Sequence, residues 1–134
     1  MKSALAERCV GCYEGMPQRT PREAVVDAAK QAVASQADVI VTIGGGSLTD
    51  AAKAVQIAIA HGVTDTDSLE ALKLDEQGKT SVSSDLSVRY IAIPTTLSGG
   101  EFSSFAGVTD SQLNVKQLFT HPQAAPQVSC HSGT

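Results

Sequence analysis

Three consecutive glycines, Gly44, Gly45 and Gly46, are followed by Ser47, Asp50 and Lys53. These residue types at this spacing suit the binding of an anion. Glycine lets a phosphate approach the backbone with no Cβ in the way. A helix opening at this point turns unpaired N–H groups and a partial positive charge toward the ligand. The chemistry indicated is the holding of a phosphate-bearing ligand, foremost a dinucleotide. The G-x-G-x-x-G fingerprint is met at Gly44 and Gly46, but Thr49 stands where its third glycine belongs. No Gly-Lys-Ser/Thr follows, so the P-loop pattern is not met. A tight turn in an α/β protein, with no ligand, is the plain alternative.

A second polar group lies downstream. Pro94 is followed by Thr95, Thr96, Leu97, Ser98, Gly99 and Gly100, with Ser103 shortly after. Cys9 and Cys12 form a C-x-x-C pair, which suits redox work or half of a zinc site. A second pair is lacking: Cys130 is distant, and His61, His121 and His131 are scattered. Free thiols and no metal site are therefore expected.

Elements must hold these groups in place. Residues 39–43, Val-Ile-Val-Thr-Ile, read as a buried strand with helices covering both faces of a parallel sheet. The following helix has Ser47 as its expected cap and Asp50 as the reciprocal partner. Leu48, Ala51, Ala52, Val55 and Ile59 line its core face, and Gly62 ends it in a left-handed conformation. Upstream, Thr20 is the expected cap of another helix, with Pro21 at its first position and Glu23 completing a capping box. Ala24, Val25, Ala28, Ala29, Ala32 and Val33 form its apolar stripe. Residues 65–74 hold a short helix capped by an Asp or Thr, and residues 75–87 read as an exposed polar connector. Residues 88–93 form a second buried strand, ended by Pro94. Residues 105–109 and 115–119 pair as strands across a polar turn at 110–114. This alternation predicts an α/β fold with a Rossmann-like parallel sheet and flanking helices. The loops at 44–47 and 95–100 both leave the carboxyl ends of strands, where such sheets bind ligands. Adjacent strands would place both loops in one crevice.

Bulk properties narrow the function classes. A chain of 134 residues suits one domain, and 42% hydrophobic content suffices for a core, although aromatics make up only 4%. The net charge of −4 argues against a nucleic-acid partner. No apolar run approaches the roughly 18 residues of a membrane span, and no leader pattern is seen, so a cytoplasmic location is expected.

The pair Ile43-Gly44-Gly45-Gly46-Ser47-x-x-Asp50-x-x-Lys53 and Ile93-Pro94-Thr95-Thr96 resembles the iron-containing (group III) alcohol dehydrogenase superfamily. The resemblance runs from about residue 20 to residue 128. The second loop departs from the main-branch pattern P-T-T-x-G-T-G-S-E and is more similar to the maleylacetate reductase-like branch. The resemblance implies an N-terminal α/β nucleotide-binding domain, an all-helical C-terminal domain and an active site between them. It implies NAD or NADP as cofactor, with contacts from Gly45, Gly46, Ser47, Asp50, Thr95, Thr96, Ser98 and Ser103. Lys53 also matches a family position, with packing or pairing to Asp50 as its plainer role. The family's iron or zinc ligands, an Asp and histidines of the helical domain, have no counterpart here, and His61 suits a helix end. Residues 1–128 thus read as a partial dinucleotide-binding domain, and residues 129–134 as an unmatched tail.

The function implied is hydride transfer between NAD(P) and a small alcohol, ketone or maleylacetate-like substrate, with a homodimer for the complete family protein. The catalytic residues are left unassigned. Two other readings stand beside it: a non-catalytic nucleotide- or phosphate-binding module, and a truncated fragment without function. This chain alone is expected to show no dehydrogenase activity, because the helical domain that would position substrate is lacking.

Overall fold

The computed structural model describes residues 11, 19–75, 77, 85–86, 88–94, 104–121, 123–124, 126 and 128–129. Helix α1 spans Arg22–Ala34, strand β1 Val39–Gly44, helix α2 Gly46–Ala60 and helix α3 Thr66–Glu70. Strands β2 (Arg89–Pro94), β3 (Phe105–Asp110), β4 (Val115–Thr120) and β5 (Val128–Ser129) follow. β1, β2 and β5 form a parallel sheet in the order β1-β2-β5, and β3 and β4 form a separate antiparallel hairpin. The α/β class and the pairing of both predicted strand sets are as the sequence implies. Val39 pairs with Arg89 and Gly44 with Pro94, so the two strand exits lie level.

Helix α2 is the centre of the molecule. One side packs on β1 and β2, another on α1, and a third on the hairpin. Its small residues make this possible: Ala51, Ala52, Ala54 and Ala58 are buried, as are Val55 and Ile57. The main core joins Ala54, Val55, Ile57 and Ala58 to Val25, Val26 and Ala29 of α1, Leu69 of α3, and Ala106, Val108 and Phe119 of the hairpin. Full burial of a side chain such as Ile57 contributes about 1.5–3 kcal/mol. Ala52, Tyr90 and Ala92 form a smaller core between α2 and the sheet.

Several local expectations need correction. Helix α1 begins at Arg22 with Pro21 in the cap position and no side-chain cap bond, so the Thr20–Glu23 capping box does not form. The Thr20 hydroxyl donates instead to Ser47 O at 2.9 Å. Val26, not Val33, completes the buried stripe of α1; Val33 is 59% exposed. Among the described residues, β1 is covered on one face only. Its burial alternates, leaving Val39, Val41 and Ile43 36–47% exposed on one side. The strand is apolar apart from Thr42, but among the described residues helix packing covers only one face.

Helix ends were more legible. Gly62, at φ 63°, closes α2, with Gly62 N–H on Ile59 O and Val63 N–H on Ala58 O. Asp65 caps α3, accepting from Ser68 N–H at 2.7 Å, while Ser68 Oγ accepts from Asp65 N–H. The expected connector at 75–87 falls mostly outside the described residues.

Candidate functional site

The turn between β1 and α2 is built by Gly44 and Gly45. A Cβ on Gly44 would run into the Leu48 side chain, which folds back over the turn. Gly45 is the cap position of α2, at φ −89° and ψ −163°. Its carbonyl accepts from the Leu48 and Thr49 amides, both at 3.2 Å. The amides of Gly46 and Ser47 precede these first helical bonds, where helix geometry provides no internal acceptor. Ser47 is therefore not the cap, and it makes no capping box with Asp50. The cause is a neighbouring strap, residues 19–21. Arg19 N–H donates to Ser47 Oγ at 3.2 Å, and Thr20 binds Ser47 O, so the serine is engaged from outside the helix.

The strap also ties to the hairpin. Thr109 N–H donates to Thr20 O at 2.8 Å, and Thr109 Oγ1 to Arg19 O at 2.6 Å. Arg19 and Thr20 are held at φ 67° and 51°, the left-handed region that non-glycine residues seldom occupy. Such a conformation persists where surrounding bonds fix it, and these four do so.

Between strap, helix and hairpin lies a cleft of about 300 Å³, lined by Arg19, Thr20, Gly46, Ser47, Asp50, Gly107 and Lys116. The cleft joins the N-terminal turn of α2 to two cationic side chains and one carboxylate. Burial pushes the Asp50 carboxyl above the ordinary carboxylate value, while the Gly107 amide, Lys53 and Lys116 pull it back down. Lys53 is fully buried and donates to Phe105 O at 2.9 Å, so it anchors the hairpin to α2 as well as facing Asp50.

Of the sequence-derived contacts, Gly45, Gly46, Ser47 and Asp50 gather at or beside this cleft. Thr95, Thr96, Ser98 and Ser103 lie outside the described residues, as do Cys9, Cys12, Cys130 and His131. Arg19, Gly107 and Lys116 were missed. Each reaches the cleft through tertiary docking, and the only local signal was the polar turn that marked the hairpin. Nucleotide phosphates fit this donor set: helix-terminal amides with cationic side chains alongside. Among the described residues no three His, Cys, Asp or Glu residues gather as a metal-binding group. His61 Nδ1 donates to Ile57 O at the end of α2, and His121 Nδ1 accepts from the Gln123 amide. No described helix is long and apolar enough to cross a membrane.

Comparison with known proteins agrees with this architecture. The family model for iron-containing alcohol dehydrogenase matches residues 1–131. The chain is 39% identical over 123 residues to the dehydrogenase FUM7 of Gibberella moniliformis, covering 87% of this chain and 29% of that protein. It is 34% identical over 126 residues to the dehydrogenase ALT3 of Alternaria alternata, covering 90% of this chain and 32% of that one. Among solved structures, maleylacetate reductase from Agrobacterium tumefaciens superposes with a TM-score of 0.65 at 28% identity, over 96% of this chain and 30% of that chain. A 1,3-propanediol oxidoreductase shares the fold, with a TM-score of 0.74 at 24% identity over 90% of this chain and 30% of that chain. The chain spans about 30% of the length of these relatives. Glycine turn, parallel strands and matched span all point one way: the chain belongs to the iron-containing alcohol dehydrogenase family.

Proposed function

We propose that this chain is the phosphate-binding part of an NAD(P)-dependent oxidoreductase, moving a hydride to or from a small alcohol, ketone or maleylacetate-like substrate. The observation that carries the reading is the cleft at the start of α2, where helix-terminal amides meet Lys116, Arg19 and Asp50. In this reading Gly45, Gly46 and Ser47 offer backbone donors to the pyrophosphate. Lys116 and Arg19 balance its charge, and Asp50 accepts from a ribose hydroxyl. Thr95 and Thr96 directly follow Pro94, which lies opposite Gly44, and with Ser98 and Ser103 they are assigned to the cofactor as well. The nicotinamide, when bound, supplies the hydride chemistry. The names of relatives support the cofactor and substrate class: NAD-dependent methanol dehydrogenase of Bacillus methanolicus is 36% identical over 105 residues. Phosphonoacetaldehyde reductase of Streptomyces viridochromogenes is 33% identical over 111 residues.

The test is fluorescence titration of NADH and NADPH onto the chain and onto Gly45→Val. The backbone at Gly45 is open to any residue, so valine acts by blocking phosphate approach rather than by strain. Saturable binding in the parent and at least tenfold weaker binding in the folded variant are expected. No saturable binding to the parent chain, or equal affinity in both proteins, overturns the assignment.

A further inference from the structure

We propose that Gly107 is a positioning residue: lacking a side chain, it lets the Lys116 chain cross the hairpin and set its ammonium in the cleft beside Asp50. The proposal rests on the reading of that cleft as a phosphate-binding site. Its basis is the hairpin register. Thr109 pairs with Lys116 and Gly107 with Leu118, so Gly107 and Lys116 are diagonal neighbours on one face. A Cβ on Gly107 would collide with Lys116 Cε and would stand 2.8 Å from Nζ and 3.1 Å from Cδ. The space that glycine leaves is thus filled by the far half of the lysine. The Gly107 amide meanwhile donates to the Asp50 carboxylate, and all three residues line the cleft.

Backbone conformation does not explain this glycine. Among the described glycines only Gly62 has a positive φ. Glycine inside a strand is unfavourable by itself and marks a place where something must approach closely. Here the approaching group is the flexible end of a lysine. An alanine would therefore move Lys116 and leave the fold in place. The second cation of the cleft, Arg19, is tethered independently of residue 107, its Nη1 donating to Asn114 Oδ1 at 3.1 Å. The position of Lys116 then sets how much positive charge faces a phosphate at the start of α2.

The experiment uses the 134-residue chain with Gly107→Ala, Lys116→Ala, Asp50→Asn and the double variant Gly107→Ala/Lys116→Ala. The first readout needs no ligand. The Lys116 side-chain NMR signal, assigned by its loss in Lys116→Ala, is followed against pH. In the parent it should report the titration of Asp50, and Asp50→Asn should remove that inflection. Gly107→Ala should remove it as well, with the thermal midpoint within a few degrees of the parent. An unchanged inflection in Gly107→Ala overturns the proposal. The second readout is calorimetric binding of NADH and of inorganic pyrophosphate. Gly107→Ala should weaken both about tenfold to a hundredfold, the loss expected for one charge-assisted contact. The double variant should bind no more weakly than Lys116→Ala; additive losses overturn the proposal. A parent chain that binds neither probe overturns the phosphate reading, and the NMR readout still decides the role of Gly107.

Discussion

Asp50 meets two opposing demands. It is partly buried against the hairpin, which disfavours its charge, yet Lys53, Lys116 and the Gly107 amide surround it and favour that charge, with Arg19 across the cleft. Burial prevails, and the carboxyl is held above its ordinary value of 3.8. A raised pKa in the folded state means that the stability linked to this proton is complete below the ordinary value. It is lost as pH rises through the folded value. Glu70 behaves in the opposite way. The Lys73 hydrogen bond and charge, then Arg22, hold its carboxyl below the ordinary value, so its contribution is present above that value and fades on acidification. Urea unfolding across pH 3–7 should show the two slopes separately (a range set by ordinary carboxylate values near 4). Asp50→Asn should remove the decline that begins above pH 3.8. Glu70→Gln should flatten the acid limb. A pH profile identical in Asp50→Asn and the parent would contradict the assigned burial cost.

At the scale of elements, α1 and α2 end in the same motif with different residues. Gln36 occupies the left-handed position after α1 at φ 54°, where Gly62 stands after α2. In both, the paired bonds are of the same kind, with Ala37 N–H on Ala32 O matching Val63 N–H on Ala58 O. The left-handed region costs a side-chain-bearing residue about 1 kcal/mol. Gln36→Gly should therefore stabilise the chain, and Gly62→Ala should destabilise it, each by about that amount in chemical denaturation. Arg22 joins three elements: it sits 3.1 Å from Glu70 Oε2 of α3 and 3.1 Å from Asp110 Oδ1 of β3. Arg22→Ala would leave the buried Asp110 without its cation, a loss of about 3 kcal/mol. Arg22→Ala with Asp110→Asn should recover part of it. The sequence already contained strands β1 to β4, the hairpin turn and the end of α2, because these depend on periodicity and on residues that tolerate special dihedrals, but not the two-residue β5. It did not contain the start of α2 as observed, since the strap at Arg19 and Thr20 engages Ser47 from 27 and 28 residues away. The cleft was half legible for the same reason. Its glycines and Asp50 are local, whereas Gly107 and Lys116 arrive with a hairpin docked on the far side of α2.

Across the whole molecule, one surface stands out. Among the described residues β1 borders a strand on one side only, and Val39, Val41 and Ile43 present an exposed apolar row beside that open edge. Uncharged, β-branched edge strands are templates for pairing with another chain. Val41→Lys should shift the chain toward monomer in sedimentation velocity, while Val33→Lys, at a more exposed site on α1, should shift it less. Equal distributions in the parent and Val41→Lys would sink this expectation. The buried ammonium of Lys53 has a different consequence, for how the structure comes apart. Its bond to Phe105 O joins the hairpin to α2. A slight parting of the two would break that bond before water could enter, costing the buried ammonium an acceptor with nothing to replace it. Only wide separation, with full hydration, relieves the cost. Partial openings are thereby removed from the ladder of local fluctuations, and the amides of β3 and α2 should exchange with solvent deuterium in a single cooperative step.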